Sequence, residues 1–370
     1  MNDLSQPEIL QWLRENRPSP LDLYARADAV RRERVGDAVH LRGLIEISSH
    51  CERQCMYCGL RRSNTGLPRY RMTREEILAC VREAVKFGYG TVVLQAGEDD
   101  ALTPGWIADI VREIKCKTPL AVTLSLGERS EDELRRWRKA GADRYLLRFE
   151  TSDSKLFRII HPERHRGSPD RVALLRRIKQ MGYEAGGGVM VGIPGQSFES
   201  LAQDVFTFRA LDLDMIGIGP YIAHPATPLG SGVLRPPIEA SEQVPSSEEM
   251  VCKMIALTRL ACPTANIPST TALATISRVN GRKRGLSVGA NVVMPNLTPA
   301  KYRSLYQIYP EKACIEESAT DCNQCLRGQI GSLSRFIGRT RGSRGEVETV
   351  PHILSERSSE FVQLQVPDYA

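Results

Sequence analysis

"LRGLIEIS", residues 41–48, runs directly into "SHCERQCMYCGL", residues 49–60. The first stretch is short, apolar and rich enough in isoleucine and leucine to be a buried strand. The second places Cys51, Cys55 and Cys58 at spacings of four and three residues, in a chain of 370 residues with ten cysteines. If the strand is the first of a series, the loop that follows it sits at the end of a parallel sheet where chemistry collects.

The series is there. Thr73 opens a helix with Glu76 three residues on, a capping box, and Gly88 ends it. Ile77, Leu78, Val81, Ala84 and Val85 share one face of that helix. "TVVLQ" at 91–95 is the next strand, and a helix follows from Pro104. "LAVTLSL" at 120–126 precedes a helix capped by Ser130 with Glu133 and closed by Gly141. "RYLLRFE" at 144–150 precedes a helix begun by Ser168 and Pro169, a favoured cap and first-turn pair. "GGVMVG" at 187–192 leads to a helix starting near Ser197, and "DMIGIG" at 214–219 follows. After a Pro-rich loop come a helix near 247–261 and two weaker strands, "ANIPST" at 265–270 and "GANVVMP" at 289–295. Strand and helix alternating at this spacing imply right-handed crossovers and a parallel sheet.

The pattern predicts an α/β fold, a (β/α)8 TIM-type barrel over 41–300. Amphipathic segments around 6–16 and 19–36 make 1–40 an N-terminal helical segment. Residues 301–335 form a C-terminal segment, and 336–370 read as a basic, serine-rich tail. Its last residues, "VPDYA", match the end of a common epitope tag and are set aside from fold reasoning.

Composition bounds the function. Hydrophobic residues at 41% and charged residues at 25% are ordinary for a globular chain, and a net charge of +6 is weaker than nucleic-acid binding demands. No apolar run reaches the ~18 residues of a membrane span, and no leader opens the chain. A cytoplasmic protein with neither nucleic acid nor membrane as partner is expected. In a reducing compartment, disulfides are disfavoured. Cys80, Cys116, Cys252 and Cys262 read as buried structural thiols, whereas Cys314, Cys322 and Cys325 make a second triplet.

Three thiolates in one loop leave two metal readings. Structural zinc takes four ligands and would have to recruit His50 or a distant residue. A four-iron cluster held by three thiolates keeps one iron open for a cofactor. The C-x3-C-x2-C spacing, with Tyr57 before the third cysteine and the loop placed after strand one, resembles the radical S-adenosylmethionine enzymes. The resemblance implies a 4Fe–4S cluster on Cys51, Cys55 and Cys58, with S-adenosylmethionine chelated to the open iron and cleaved to methionine and a 5′-deoxyadenosyl radical. In "QAGED", Gly97 and Glu98 would then face the amino group of S-adenosylmethionine. Glu150 and Ser125 would meet its ribose, Arg171 its carboxylate. The glycines of "GGGVMVGIPG" lie before and within a strand rather than opening a helix, so they suit an adenine close to the backbone better than a dinucleotide fingerprint. "GRKRG" at 281–285 and "RTRGSRG" at 339–345 read as surface or tail.

Within that superfamily, "CMYCGLRRSN", "RYRMTREEI", "GYGTVVLQAGED", "ETSDSKLFRIIHP", "VGIPGQ", "IGIGPYIAHPATPL" and "GANVVMPNLTPAKYRSLYQIYPEKAC" resemble the HydE family of FeFe-hydrogenase maturases, over roughly residues 5 to 335. Tyr306 lies where that family has a tyrosine near S-adenosylmethionine. The resemblance implies a part in assembling the two-iron site of FeFe-hydrogenase, on a cysteine-bound iron carrying carbon monoxide and cyanide. A HydG-type maturase would deliver it and a HydF-type scaffold would accept the product. Thr123, Arg148, Thr270 and Thr271 would line the barrel, although β-branched residues also fill barrels without any such role. Cys314, Cys322 and Cys325 match an accessory iron–sulfur site, 2Fe–2S or 4Fe–4S, found in part of the family.

A methylornithine synthase, which is a lysine mutase, is the nearest enzyme alternative, and the second triplet weighs against it. A biotin synthase is more distant. A non-catalytic iron–sulfur carrier would have no use for the Gly97, Glu98, Glu150 and Arg171 set.

Overall fold

In the computed structural model, residues 4–14, 21–162 and 170–349 are described. Two helices, α1 (Gln6–Arg14) and α2 (Leu21–Val35), precede β1 (Ala38–Ser48). Then follow α3 (Arg74–Lys86), β2 (Thr91–Ala96), α4 (Pro104–Lys117), β3 (Ala121–Ser125), α5 (Glu131–Lys139) and β4 (Arg144–Leu146). Next come α6 (Ser154–Ile160), α7 (Arg171–Gln180), β5 (Glu184–Val191), α8 (Phe198–Ala210), β6 (Met215–Pro220) and α9 (Glu248–Ala261). The chain continues through α10 (Thr271–Ile276), α11 (Gly281–Ser287), β7 (Val292–Val293), α12 (Ala300–Arg303), α13 (Ala319–Gly331) and β8 (Phe336–Ile337).

The capping signals act as the sequence implies. Thr73 with Glu76 and Ser130 with Glu133 both form complete capping boxes, and Ser197 and Ser247 cap α8 and α9. Gly88 and Gly141 follow their helices at positive φ, where a side chain would be strained. Ser168 and Pro169, read as a helix start, lie outside the described residues. The cap of α7 is Asp170, whose side chain accepts from Val172 N.

Strands β1 to β6 pair in parallel, each with the next. The ring closes through segments too short to be strands. Asn266 and Ser269 bridge to Met215 and Ile218 of β6, Pro268 bridges to Val292, and β7 pairs with His40 and Leu41 of β1. The expected seventh and eighth strands are therefore present as a few bridges each, and the α/β barrel stands. Period-two alternation turns Leu41, Ile45 and Ile47 toward the surrounding helices. It turns Arg42 inward, to Met215 across the barrel, and Glu46 inward to Asn296 and Lys312. Both faces of β1 are buried, as a parallel sheet sheathed in helices requires.

The expected tail does not begin at 336. β8 pairs with Ala38 and Val39 at the start of β1. The chain then crosses beneath the barrel, where Arg42 and Asn266 donate to Gly342 O, and Thr91 and Arg144 donate to Arg341 O. "RTRGSRG" keeps Arg339, Thr340, Arg341 and Gly345 exposed, as a surface segment would, yet it is fixed in place. Its backbone is held by polar side chains at the lower ends of the strands, a type of packing with no hydrophobic period to reveal it. The glycines of β5 also have protein close by. A Cβ on Gly188 would stand 2.2 Å from Gly217 O, and one on Gly186 2.6 Å from Met215.

Candidate active site at the barrel mouth

Cys51, Cys55 and Cys58 occupy the loop leaving the upper end of β1. Neighbouring loops grip it through the backbone: Glu52 N donates to Glu98 O, Met56 N to Ile160 O, and Gly59 N to Ile308 O. Cys55 is buried and the other two are half-buried. Burial, and then the other thiols of the triplet, push Cys55 well above its ordinary range, and burial and Cys51 push Cys58 up to about 12. Three thiols that resist ionising together suit a cationic group that takes them all as thiolates. Among the described residues, no three His, Cys, Asp or Glu side chains converge as ligands of one metal ion. An iron–sulfur cluster binds each thiolate to a different iron, so its ligands need not converge. The residues fit the 4Fe–4S group.

Gly97 and Glu98 lie against this loop. A Cβ on Gly97 would stand 2.2 Å from His50 O and 2.7 Å from Cys51 Cβ, so only glycine fits. The Glu98 N–H donates to Cys51 Sγ at 3.4 Å. Its side chain passes Gly127, which sits at φ +79 and whose Cβ would meet Glu98 Cγ at 2.0 Å. It ends in a buried ion network that no motif announces. Arg171 binds Glu128 at 2.7 Å and Glu98 at 3.4 Å, and Arg53, between the first two cysteines, meets Glu128 at 3.3 Å. His161 lies between the two guanidinium groups, 2.5 Å from each. Burial first, then both arginines, hold it neutral. Arg171 also donates to Arg148 O at 2.6 Å. All three of its guanidinium nitrogens have protein partners, through which it braces the glycine–glutamate loop.

Glu150 adopts φ +65, uncommon for a non-glycine residue, fixed by Phe149 N and Glu150 N donating to Gly188 O and Met190 N donating to Glu150 O. This break ends regular β4 pairing at Leu146 and points Glu150 toward Arg148 at 3.2 Å. Tyr57, half-buried, lies near Cys55 and Glu150, and burial first, then their charges, push its hydroxyl far up.

Inside the barrel, Tyr306 is buried and its hydroxyl accepts from Gln95, the partner of Ser125 across β2 and β3. Thr123 is buried with a hydroxyl that finds no partner among the described residues. On β6, a Cβ on Gly217 would meet only Gly187 O at 3.7 Å, so space opens on the side Met215 faces. An orphan buried hydroxyl is what a polar ligand would complete. Arg148 donates to Val189 O at 2.5 Å. Thr270 is already committed, capping α10 at Leu273 N and donating to Ile218 O, while Thr271 is half-buried in the first turn. Glu46 and Lys312 form a buried ion pair, with Lys312 over the Tyr306 ring at 5.4 Å. Neither was anticipated, since Glu46 inside a strand and Lys312 in a distant loop carry no motif.

The second triplet is partly assembled. Cys314, at φ +62, hydrogen-bonds with Cys322, and Arg282 donates to Cys314 Sγ at 3.1 Å. Cys325, one turn further along α13, is exposed.

Residues 45–207 match the family model of the radical SAM superfamily. The chain is 47% identical over 329 residues to the FeFe hydrogenase maturase subunit HydE of Thermotoga maritima, covering 89% of this chain and 90% of that protein. It is 29% identical over 279 residues to 3-methylornithine synthase of Methanosarcina barkeri, 75% of each chain. Among solved structures, methylornithine synthase superposes with a TM-score of 0.76 at 24% identity, over 91% of this chain and 95% of that one. The maturase HydG superposes with a TM-score of 0.71 at 17% identity, over 91% and 73%. At those identities the two structures attest the barrel.

Proposed function

Because this chain belongs to the HydE family of FeFe hydrogenase maturases, within the radical SAM superfamily, we propose a division of labour among its residues in assembling the hydrogenase diiron site. The observation that carries the reading is the three-thiol loop clamped to Gly97 and Glu98 at the mouth of a lined barrel. Cys51, Cys55 and Cys58 hold a 4Fe–4S cluster. With S-adenosylmethionine bound, that cluster supplies a 5′-deoxyadenosyl radical by reductive cleavage. Gly97, Ser125, Glu150, Tyr57 and Tyr306 shape the nucleoside site, and Glu98 with Arg171 and Glu128 fixes the loop that carries it. Thr123 and Arg148 offer a hydroxyl and a guanidinium to substrate, with Thr271 beside them.

The substrate class we assign is a cysteine-bound iron complex carrying carbon monoxide and cyanide, received from a HydG-type maturase and passed on to a HydF-type scaffold. Cys314, Cys322 and Cys325 hold a second iron–sulfur cluster, 2Fe–2S or 4Fe–4S. A cell-free maturation reaction containing apo-hydrogenase and the other maturases tests the role. Hydrogenase activity should appear only when this protein is added, and activity without it would remove the assignment.

A further inference from the structure

The clasp that closes the cysteine loop is a residue outside it. Residues 70–72 run back along the end of β1: Ser49 N donates to Tyr70 O, Tyr70 N to Ser49 Oγ, and Ser48 bridges to Arg71. This pairing fixes the backbone of Arg69 beside the start of the cysteine loop. Its side chain then spans to the far side. Nη1 donates to Ser49 O at 2.6 Å and Leu60 O at 2.9 Å, and Nη2 to Arg61 O at 2.9 Å and Asn64 O at 3.1 Å. Ser49 precedes Cys51 and Leu60 follows Cys58, so one guanidinium joins both ends of the loop.

Arg69 makes no ion pair with a carboxylate among the described residues, unlike its neighbour Arg71, which is paired with Asp99 at 2.7 Å. Burial lowers its pKa, and Cys51 and Cys58, once held as thiolates, would oppose that lowering. Four carbonyls use the fork of donors that arginine has and lysine lacks.

We propose that Arg69 is a positioning residue for the cluster loop, clasping its two ends by four backbone carbonyls and adding a positive charge beside its thiolates. This rests on the reading of Cys51, Cys55 and Cys58 as cluster ligands. An unneutralised cation near a thiolate-bound cluster favours the reduced, more negative state, so Arg69 raises the reduction potential. The clasp slows the loss of iron by holding the ligand loop closed.

The test uses the anaerobically reconstituted full-length protein with Arg69→Gln, Arg69→Lys and, as a control on an exposed arginine of the same loop, Arg62→Gln. Two quantities are read: the midpoint potential by redox titration, and the rate of iron loss to excess chelator. Arg69→Gln should show a lower potential and iron loss about ten-fold faster or more, the effect of losing roughly one charge-assisted hydrogen bond. Arg69→Lys should recover the potential but not the chelator resistance, because it returns charge without the fork. Arg62→Gln should match wild type in both. If Arg69→Gln fails to take up iron, Arg69→Lys decides: iron loss at the wild-type rate overturns the clasp. Wild-type values for Arg69→Gln in both measurements overturn the proposal while leaving the cluster assignment intact. A wild-type protein that binds no 4Fe–4S cluster overturns both.

Discussion

The main-chain N–H of Glu98 points at Cys51 Sγ, 3.4 Å away, so the loop after β2 is hydrogen-bonded to the loop after β1 at a thiol itself. The return bond, Glu52 N to Glu98 O, makes the two loops one unit. Whatever shifts Gly97 or Glu98 therefore moves a proposed cluster ligand.

Gly97→Ala is expected to be damaging for that reason. The added Cβ would meet His50 O and Cys51 Cβ at 2.2 and 2.7 Å, both close to backbone and neither able to swing aside. Overpacking of this kind costs about 1–3 kcal/mol, here taken from the cysteine loop. Iron bound per chain after reconstitution should fall sharply. Gly328→Ala, where a Cβ meets nothing within 4 Å, is the matched control and should bind iron as wild type does.

Removing Lys312 should destabilise the barrel. It would leave Glu46, fully buried, with Asn296 but without its cation. Breaking a buried pair from one side costs about 3–5 kcal/mol, whereas removing both charges costs much less. Urea unfolding of Lys312→Met and of the Lys312→Met, Glu46→Gln double variant measures this. The double variant should recover most of the single variant's loss.

Asp204 on α8 predicts a pH dependence. Burial raises its pKa from 3.8 to about 7, against the lowering effect of Ser152, whose N–H donates to Asp204 Oδ1 at 2.6 Å. The folded state thus holds a proton that the unfolded state releases, and stability falls as pH rises from about 4 to about 7. Asp204→Asn keeps an acceptor for Ser152 and cannot ionise. The difference in unfolding free energy between the two proteins should change across that window and be flat above it. Comparing the two proteins cancels His40, which burial depresses to about 4 and whose slope runs the other way.

Cys314, Cys322 and Cys325 changed together to serine should lower iron content without abolishing cofactor cleavage. They lie on the segment after the last barrel bridge and on α13, away from the Gly97–Cys51 unit. A variant that keeps its first cluster yet cannot cleave S-adenosylmethionine would make the second site catalytic.

The barrel was legible because its units announce themselves: Thr73–Glu76, Ser130–Glu133, Ser197 and Ser247 each open a helix where the strand before predicts one. The thiol loop and Gly97 were legible from spacing. The network of Arg53, Glu128, Arg171 and His161 was not, since its members come from four separate stretches and meet only when the barrel curls. For Arg171 the sequence shows a charge but not the partners, Glu128, Glu98 and His161, that the fold brings to it. The crossing strand beneath the barrel was missed because backbone carbonyls, which every residue has, hold it in place.

The most direct measurement is reductive cleavage of S-adenosylmethionine by the anaerobically reconstituted protein, with 5′-deoxyadenosine as the product counted. The wild-type chain with dithionite should form it, and a variant with Cys51, Cys55 and Cys58 all changed to alanine should form none. Release of 5′-deoxyadenosine by that triple variant, or none from a wild-type protein loaded with 4Fe–4S cluster, would contradict the account.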